Sequence, residues 1–326
     1  VDYILMGAGI PSSIPGIIDN IANGDPCSMS LYVEQNKNNQ EFKANLNPKD
    51  YLPNEMFPLK RPEFLGIISS DIVAKTMTRK ATGRITGFVV ENYTAGGHNA
   101  PPRKNHKANE GDAPSFSERD IPNLENIKNL GLPFWLAGGF NSKEKLQEAL
   151  DLGAAGIQLG SLFAFCNESG MKKEVKTEVL NSLLTDTFKS ITDFKASPTG
   201  YPFKLASINN KIYEEEIHLH RERICDLGLL RTPFVNESGN ISFKCPSEPE
   251  RIYVKKGGSI EETVGRKCLC NGLMAAIGLD QPRKDYHEPS LVTAGEDITP
   301  LKKILKNKPT YSAEDVIDYL MSGEKV

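Results

Sequence analysis

A histidine that follows two glycines is the side chain of this chain best placed for acid–base chemistry. Residues 88–98 read Phe-Val-Val-Glu-Asn-Tyr-Thr-Ala-Gly-Gly-His, an apolar run that stops at Glu91 and a small-residue loop that ends at His98. An imidazole titrates near neutral pH, so it can take a proton from carbon and return it. From the residues alone, a loop histidine that only hydrogen-bonds the backbone stays an open alternative.

Two later segments repeat the pattern of a short apolar run that ends in glycine. They are 134–139, Phe-Trp-Leu-Ala-Gly-Gly, and 156–161, Gly-Ile-Gln-Leu-Gly-Ser. Glycine lets backbone N–H groups approach a ligand closely, and phosphate is the usual ligand at such turns. One such turn is ordinary, but two on consecutive strands favour a phosphate site at Gly138, Gly139, Gly160 and Ser161.

Five apolar runs separated by helical stretches must position these residues. The runs predict parallel strands at 1–6, 64–69, 85–90, 133–137 and 156–160. Helices are predicted at 13–22, at 72–79 with Asp71 as N-cap, at 120–130, at 141–152, and to Leu184 after a cap at Asn167 or Ser169. The pattern predicts an α/β fold of the TIM (β/α)8 barrel type. Such a barrel needs eight strands, so three are expected before Val1.

The strand–helix alternation stops near residue 190. We therefore expect two regions, a partial barrel at 1–188 and an appendage at 189–326 with cysteine-rich loops and a terminal helix. Within the appendage, helical spacing is found at 267–277 and 313–321. Two polar segments, 35–62 and 99–120, are expected to be irregular.

Composition narrows the class of protein. The chain of 326 residues has a net charge of −3 with both signs interspersed, which gives no electrostatic footprint for nucleic acid or an anionic membrane. No apolar run is long enough to span a bilayer and no signal peptide is visible, so a cytoplasmic enzyme is expected.

Three blocks together resemble a known family. Ala95–His98, Leu136–Gly139 and Gln158–Ser161 occur in the order and at the approximate spacing found in nitronate monooxygenases (2-nitropropane dioxygenase-like proteins), which are FMN-dependent TIM barrels. The resemblance covers roughly residues 1–170. Residues 95–103 and 267–273 are similar to a branch related to trans-acting enoyl reductases.

The resemblance implies FMN as cofactor and His98 as the catalytic base. It implies FMN contacts from Glu91 and Gly96, and phosphate contacts from Gly139 and from Gln158, Leu159, Gly160 and Ser161, beside the Gly138 already singled out. Two of these residues depart from the family, which often has Gln at the position of Glu91 and usually Thr at that of Ser161. A carboxylate at Glu91 would disfavour an anionic reduced flavin ring.

The activity implied is oxidation of a small alkyl nitronate with dioxygen. Two alternatives stay open. One is an NAD(P)H- and FMN-dependent enoyl-thioester reductase of fatty acid or polyketide synthesis, which would add an acyl-carrier protein as partner. The other is a non-catalytic, flavin-free assembly subunit. An oligomer is compatible with all three.

Three further patterns carry weaker arguments. Cys225, Cys245, Cys268 and Cys270 suggest a four-thiolate zinc site, but buried free thiols are commoner at this irregular spacing, so no metal is predicted. The run 7–9, Gly-Ala-Gly, lacks the third glycine of a dinucleotide fingerprint. Basic residues after His98, namely Arg103, Lys104 and Lys107, suit a solvated loop slightly better than a phosphopantetheine or carboxylate contact.

Overall fold

A parallel β-sheet organises the first half of the chain. The structure is a computed structural model, and it describes residues 1–7, 12–103, 116–207, 215–281 and 283–322. In chain order the strands within these described ranges are β1 (Tyr3–Met6), β2 (Cys27–Leu31), β3 (Phe42–Leu46), β4 (Glu63–Ile68), β5 (Gly87–Glu91), β6 (Gly97–His98), β7 (Phe134–Ala137), β8 (Gly156–Gln158), β9 (Lys189–Asp193), β10 (Phe203–Ser207), β11 (Thr232–Val235) and β12 (Ile241–Lys244).

Helices connect and cover these strands. The α-helices are α1 (Ile14–Asn23), α2 (Asp71–Lys80), α3 (Leu124–Lys128), α4 (Lys143–Asp151), α5 (Ser161–Ala164), α6 (Lys173–Leu184), α7 (Glu215–Leu219), α8 (Glu250–Lys255), α9 (Leu269–Ala276), α10 (Pro300–Leu305) and α11 (Ala313–Ser322). Short 3-10 turns lie at Pro48–Asp50, Asn54–Met56, Glu118–Asp120 and Glu261–Thr263. No helix within the described ranges has the length and apolar character needed to cross a bilayer.

The five predicted parallel strands are confirmed as one sheet. Its order is β1-β4-β5-β7-β8, and every neighbouring pair is parallel. Helices α2, α3 and α4 lie between successive strands, so the carboxyl ends of all five strands share one edge. Within the described residues the sheet is open, with β1 and β8 at its edges. The α/β class is as predicted, and loops at this shared edge are where such folds place their sites.

Both faces of the sheet are apolar, as buried parallel sheets require. Phe64, Phe88 and Phe134 are fully buried on the face that packs against the helices. Trp135 lies on the opposite face with Leu65 and other apolar residues. Fully burying one such large apolar side chain stabilises the fold by roughly 1.5–3 kcal/mol.

Several helices begin at other residues than predicted, because local hydrogen bonds cap them at different positions. The hydroxyl of Ser70, one residue before Asp71, caps α2 by accepting the N–H of Val73. The predicted helix at 120–130 is instead a 3-10 turn followed by α3. Asn123 caps that short helix directly after a proline.

Helix α6 begins at Lys173, so the predicted cap at Asn167 or Ser169 is wrong. The hydroxyl of Ser169 donates to the carbonyl of Ala164 (2.6 Å), and the N–H of Asn167 donates to the carbonyl of Tyr311 (2.8 Å). Ser169 therefore closes the turn after α5, while Asn167 ties that turn to Tyr311, which lies just before α11. The predicted helices at 13–22, 141–152, 267–277 and 313–321 are confirmed to within a few residues as α1, α4, α9 and α11.

An antiparallel hairpin was missed in the polar segment of the first half. β2 and β3 pair from Cys27 opposite Leu46 to Leu31 opposite Phe42. Both strands alternate apolar and polar residues, as Cys-Ser-Met-Ser-Leu and Phe-Lys-Ala-Asn-Leu, so the period-two signal of a strand was present although most of β3 is exposed. The segment 35–62 is therefore less irregular than predicted.

The C-terminal half is built from antiparallel pairs and a helical core. β10 pairs with β9 and with β6, and the register places Phe203 opposite His98. β11 and β12 form a separate hairpin. Helices α6, α10 and α11 pack around a second core that includes Val179, Leu301 and Val316. The pairing of β6 with β10 joins the region before residue 188 to the region after it, next to the sheet edge that holds the site.

Candidate active site

The tips of β5, β7 and β8 open onto one cavity of about 290 Å3. The residues that the sequence singled out for cofactor binding all line it. They are Glu91, Gly96, Gly138, Gly139, Gln158, Leu159, Gly160 and Ser161. Their roles stay a prediction, but the structure brings them together from three strands and the loops that follow.

Glycine is required by the backbone at the tip of β7. Gly138 and Gly139 have φ values of +85° and +80°, a region that L side chains rarely adopt. A Cβ on Gly138 would lie 3.0 Å from the Cβ of Asn92 and 3.1 Å from the nitrogen of Ala95. The loop after β5 therefore packs closely against Gly138. Because Gly138 and Gly139 have no side chains, the backbone at the end of β7 borders the cavity directly.

Two residues of the cavity wall each have a buried polar atom without a hydrogen-bond partner in the described part of the chain. The hydroxyl oxygen of Thr94 and the amide oxygen of Gln158 are buried, and neither is hydrogen-bonded within the described residues. Leaving such a group unpaired costs about 1–3 kcal/mol. Both residues line the cavity, whose surface is open at Gly160, where an added Cβ would meet no described atom within 4 Å.

Glu91 brings a titratable carboxyl to the cavity. It is the last residue of β5, it is only partly exposed, and burial raises its pKa to about 7. Near neutral pH the carboxyl is thus neutral in a large fraction of molecules. In that form it resembles the glutamine that the family often carries, and the unfavourable charge predicted beside a flavin is reduced.

Because the carboxyl of Glu91 is buried, we expect Glu91→Gln to increase the stability of the fold by an amount that depends on pH. The ordinary pKa of 4.5 applies to the unfolded chain, so between pH 4.5 and about 7 the folded state holds more protons and its stability falls as pH rises. The substitution should raise the free energy of unfolding by about 2–3 kcal/mol more at pH 8 than at pH 5. Urea unfolding at both pH values measures the difference, and an equal effect at both would contradict a buried, titrating Glu91.

His98 borders the cavity but is not among the residues that line it. Its neighbour Gly97 does line it, while the His98 Nε2 lies 2.7 Å from the hydroxyl of Ser197. The ring packs edge-on against Phe203, with centroids 4.9 Å apart. Burial lowers the pKa of His98, so the imidazole is neutral at pH 7 and able to accept a proton. Ser197 lies in a loop with no motif, so nothing in the sequence indicated this contact.

A wall of the cavity comes from a segment that the sequence did not single out. Thr293, Ala294, Gly295 and Asp297 line the space beside the loops that follow the strand tips. They lie more than 130 residues after Ser161, outside the strand–helix pattern. The one feature of the sequence that could have indicated this wall is the run of small residues at 293–295, Thr-Ala-Gly, which ends in glycine as the predicted strand tips do.

The four cysteines considered for zinc surround a separate small cavity. Cys225, Cys245, Cys268 and Cys270 all line it, and all are free. Within the described ranges, no group of three or more His, Cys, Asp or Glu side chains is arranged to hold a metal ion. Burial raises the pKa of Cys268 to about 12, which keeps that thiol protonated.

The remaining candidates are only partly described. Residues 8–11 of the Gly-Ala-Gly loop lie outside the described residues, as do Lys104 and Lys107. Arg103 is described, and its guanidinium donates to the carbonyls of Ser69 (2.7 Å) and Arg119 (2.6 Å). The guanidinium of this arginine therefore binds backbone carbonyls at the start of the segment 99–120.

Comparison with known proteins decides the family. The model of the family described as nitronate monooxygenase matches residues 51–218, which is more than half of the chain. The chain belongs to the nitronate monooxygenase family. No curated protein matches it significantly.

Solved structures with weak similarity span most of the chain. FabK from Thermotoga maritima is 13% identical over 99% of this chain and 68% of its own, with a TM-score of 0.48. The enoyl reductase domain of MlnA from the macrolactin biosynthesis cluster of Bacillus amyloliquefaciens is 11% identical over 99% and 75%, with a TM-score of 0.48. Nitroalkane oxidase from Streptomyces ansochromogenes is 14% identical over 80% and 57%, with a TM-score of 0.43.

Nitronate monooxygenases are FMN-dependent oxidoreductases, and the cavity of this member fits that cofactor. The unpaired oxygen of Gln158 offers an acceptor, and the tips at Gly139 and Gly160 expose backbone to the space. Phosphate oxygens would accept hydrogen bonds from backbone N–H groups there, and an N–H at a polar ring edge would donate to such an acceptor. Family membership thus confirms the predicted enzyme class and cofactor, and the geometry agrees with both.

Proposed function

We propose that this nitronate monooxygenase family member oxidises alkyl nitronates with dioxygen at the cavity between the strand tips. One observation carries the proposal: the predicted cofactor residues from three separate strand tips converge on a single cavity whose wall holds unpaired polar atoms. Bound FMN would supply the electron-transfer chemistry. The protein would hold the flavin, place the substrate and move the proton.

The phosphate of FMN would be held at the tips of β7 and β8. Gly139 and Gly160 leave their backbone accessible, and Ser161 adds a hydroxyl. Backbone N–H groups at such tips bind anions without a side-chain charge. Glu91, at the tip of β5, would lie toward the flavin ring, where its raised pKa limits negative charge.

His98 would act as the base that prepares the substrate. A neutral imidazole takes the proton from the carbon beside a nitro group and so converts a nitroalkane into the nitronate anion. The hydrogen bond between the His98 Nε2 and Ser197 holds one ring nitrogen, which leaves the other for the proton. Overall, two nitronate anions and one dioxygen give two carbonyl compounds and two nitrite ions, which conserves atoms and charge.

Anaerobic reduction of the bound flavin tests this function. The loaded protein is mixed in a stopped-flow instrument with a nitronate or with NADPH, and the visible flavin absorbance is followed. Rapid bleaching by the nitronate alone is expected. Rapid bleaching by NADPH would instead support the enoyl-thioester reductase and its acyl-carrier partner, and protein that binds no flavin would support the assembly subunit.

A further inference from the structure

The segment Leu291–Ile298, here called the strap, runs from the C-terminal half to the cavity. Two backbone hydrogen bonds fix its start: Leu291 donates to the carbonyl of Gly272, and Ala206 donates to the carbonyl of Val292, both at 2.8 Å. The hydroxyl of Ser190 donates to the carbonyl of Ala294 (3.0 Å). The strap is thus held by α9, β10 and β9 before it reaches the site.

An ion pair between a buried lysine and an exposed glutamate fixes the far part of the strap. The ammonium of Lys204 lies 2.7 Å from the carboxylate of Glu296 and donates to the hydroxyl of Thr192 at 2.7 Å. The Lys204 side chain is 1% exposed. Since a buried charge is costly unless it is paired, Lys204 stabilises the arrangement only while Glu296 stays in place.

The strap also touches the strand tips directly. The N–H of Gly97 donates to the hydroxyl of Thr293 (2.6 Å), and the N–H of Gly295 donates to the hydroxyl of Ser161 (2.8 Å). A Cβ on Gly96 would lie 2.9 Å from the carbonyl carbon of Ala294, so this approach requires glycine. The strap and the loop before His98 therefore form one wall.

These contacts leave two hydroxyl protons for a ligand. A hydroxyl has one donor and two acceptor positions. In Thr293 and in Ser161 a backbone N–H uses an acceptor position, and neither hydroxyl donates to a protein acceptor within the described residues. Both side chains line the cavity, whose described wall carries no lysine or arginine. An anion bound there would depend on backbone N–H groups and on these hydroxyls.

We propose that Thr293 is a ligand of the FMN phosphate and that the strap is a wall of the phosphate site beside the tips of β7 and β8. The proposal rests on the FMN site proposed above. It gives the C-terminal half a role in the chemistry: the strap holds the cofactor, and cofactor binding in turn stabilises the strap. A phosphate monoester suits the site because its oxygens accept hydrogen bonds from both hydroxyls.

Thr293→Val and the matched control Thr293→Ser test the ligand assignment. Valine keeps the branched shape without the hydroxyl, and serine keeps the hydroxyl. The dissociation constants of FMN and of riboflavin, which lacks the phosphate, are measured by quenching of flavin fluorescence. Thr293→Val should weaken FMN binding at least about tenfold, because it removes a hydrogen bond to a charged group. Riboflavin binding should change less than about threefold in that variant, and Thr293→Ser should stay close to the wild type for both ligands.

The outcomes separate this proposal from the function. A wild type that binds FMN, with Thr293→Val equally tight, would overturn the ligand assignment alone. An equal loss for FMN and riboflavin would show a general packing defect and would also overturn it. A wild type that binds no FMN would overturn the proposed function itself.

Hydrogen exchange on the unmodified protein keeps the test independent of folding defects in the variants. Addition of FMN should slow exchange at the amides of Gly295 and Glu296, which donate to Ser161 and to the carbonyl of Thr94. Unchanged exchange at both amides on saturation with FMN would overturn the coupling between strap and cofactor.

Discussion

Alanine in place of His98 should lower turnover of a neutral nitroalkane by about 100- to 10,000-fold while FMN stays bound. The loss is expected because His98 would supply the base, whereas the cavity that would hold the flavin is lined by other residues. A nitronate prepared in advance has already lost its proton, so its turnover should fall much less. Steady-state oxygen consumption with both substrates, together with the flavin absorbance of the purified variant, measures these effects.

His98→Gln is the matched control for this experiment. An amide can replace the hydrogen bond to Ser197 but cannot accept a proton near neutral pH. The glutamine variant should therefore be as slow as alanine on the nitroalkane. In the wild type, activity should fall as pH drops below an inflection under the ordinary imidazole pKa of 6.5, because burial lowers the pKa of His98. Full activity in either variant would refute the base assignment.

Valine in place of Gly139 should abolish FMN binding. Gly139 lines the cavity, and among the described residues its Cβ would meet only the hydroxyl of Thr94, at 3.6 Å, so the added side chain would occupy ligand space. The positive φ of +80° adds backbone strain of roughly 1–2 kcal/mol. Flavin content after reconstitution, measured by absorbance, is expected to be near zero.

Gly131→Val is the control that separates the loss of ligand space from the effect of backbone strain. Gly131 precedes β7 and has a φ of +75°. Its Cβ would lie within 4 Å of no atom in the described ranges, and Gly131 does not line the cavity. The Gly131→Val variant should have backbone strain and a decrease in melting temperature similar to those of Gly139→Val, but it should still bind FMN. Normal flavin content in Gly139→Val, or equal loss in both variants, would remove the phosphate-site claim.

The sequence predicted the central strands β4, β5 and β7 well because their burial leaves short apolar runs. Each run, such as the one through Phe88 to Val90, is short and ends where glycine or a polar residue begins. The strand tips could be predicted for the same reason, since Gly138 and Gly139 are where the backbone needs conformations that other residues avoid.

The parts that were missed depend on long-range contacts. The strap meets Ser161 across 134 residues of sequence, and His98 meets Ser197 across 99. No local pattern predicts such pairings, because the residue types of one segment do not specify which distant segment it contacts. The hairpin β2–β3 was missed for a different reason: its strands do alternate apolar and polar residues, but each is only five residues long, and the neighbouring asparagines and prolines favoured irregular structure.

Affinity of the wild-type protein for FMN compared with riboflavin tests the central claim most directly. If the tips of β7 and β8 hold the phosphate, at least two hydrogen bonds to a charged group are lost when the phosphate is absent. FMN should then bind at least about a hundredfold more tightly than riboflavin in an equilibrium fluorescence titration. Equal affinity for the two flavins, or no binding of either, would contradict the account.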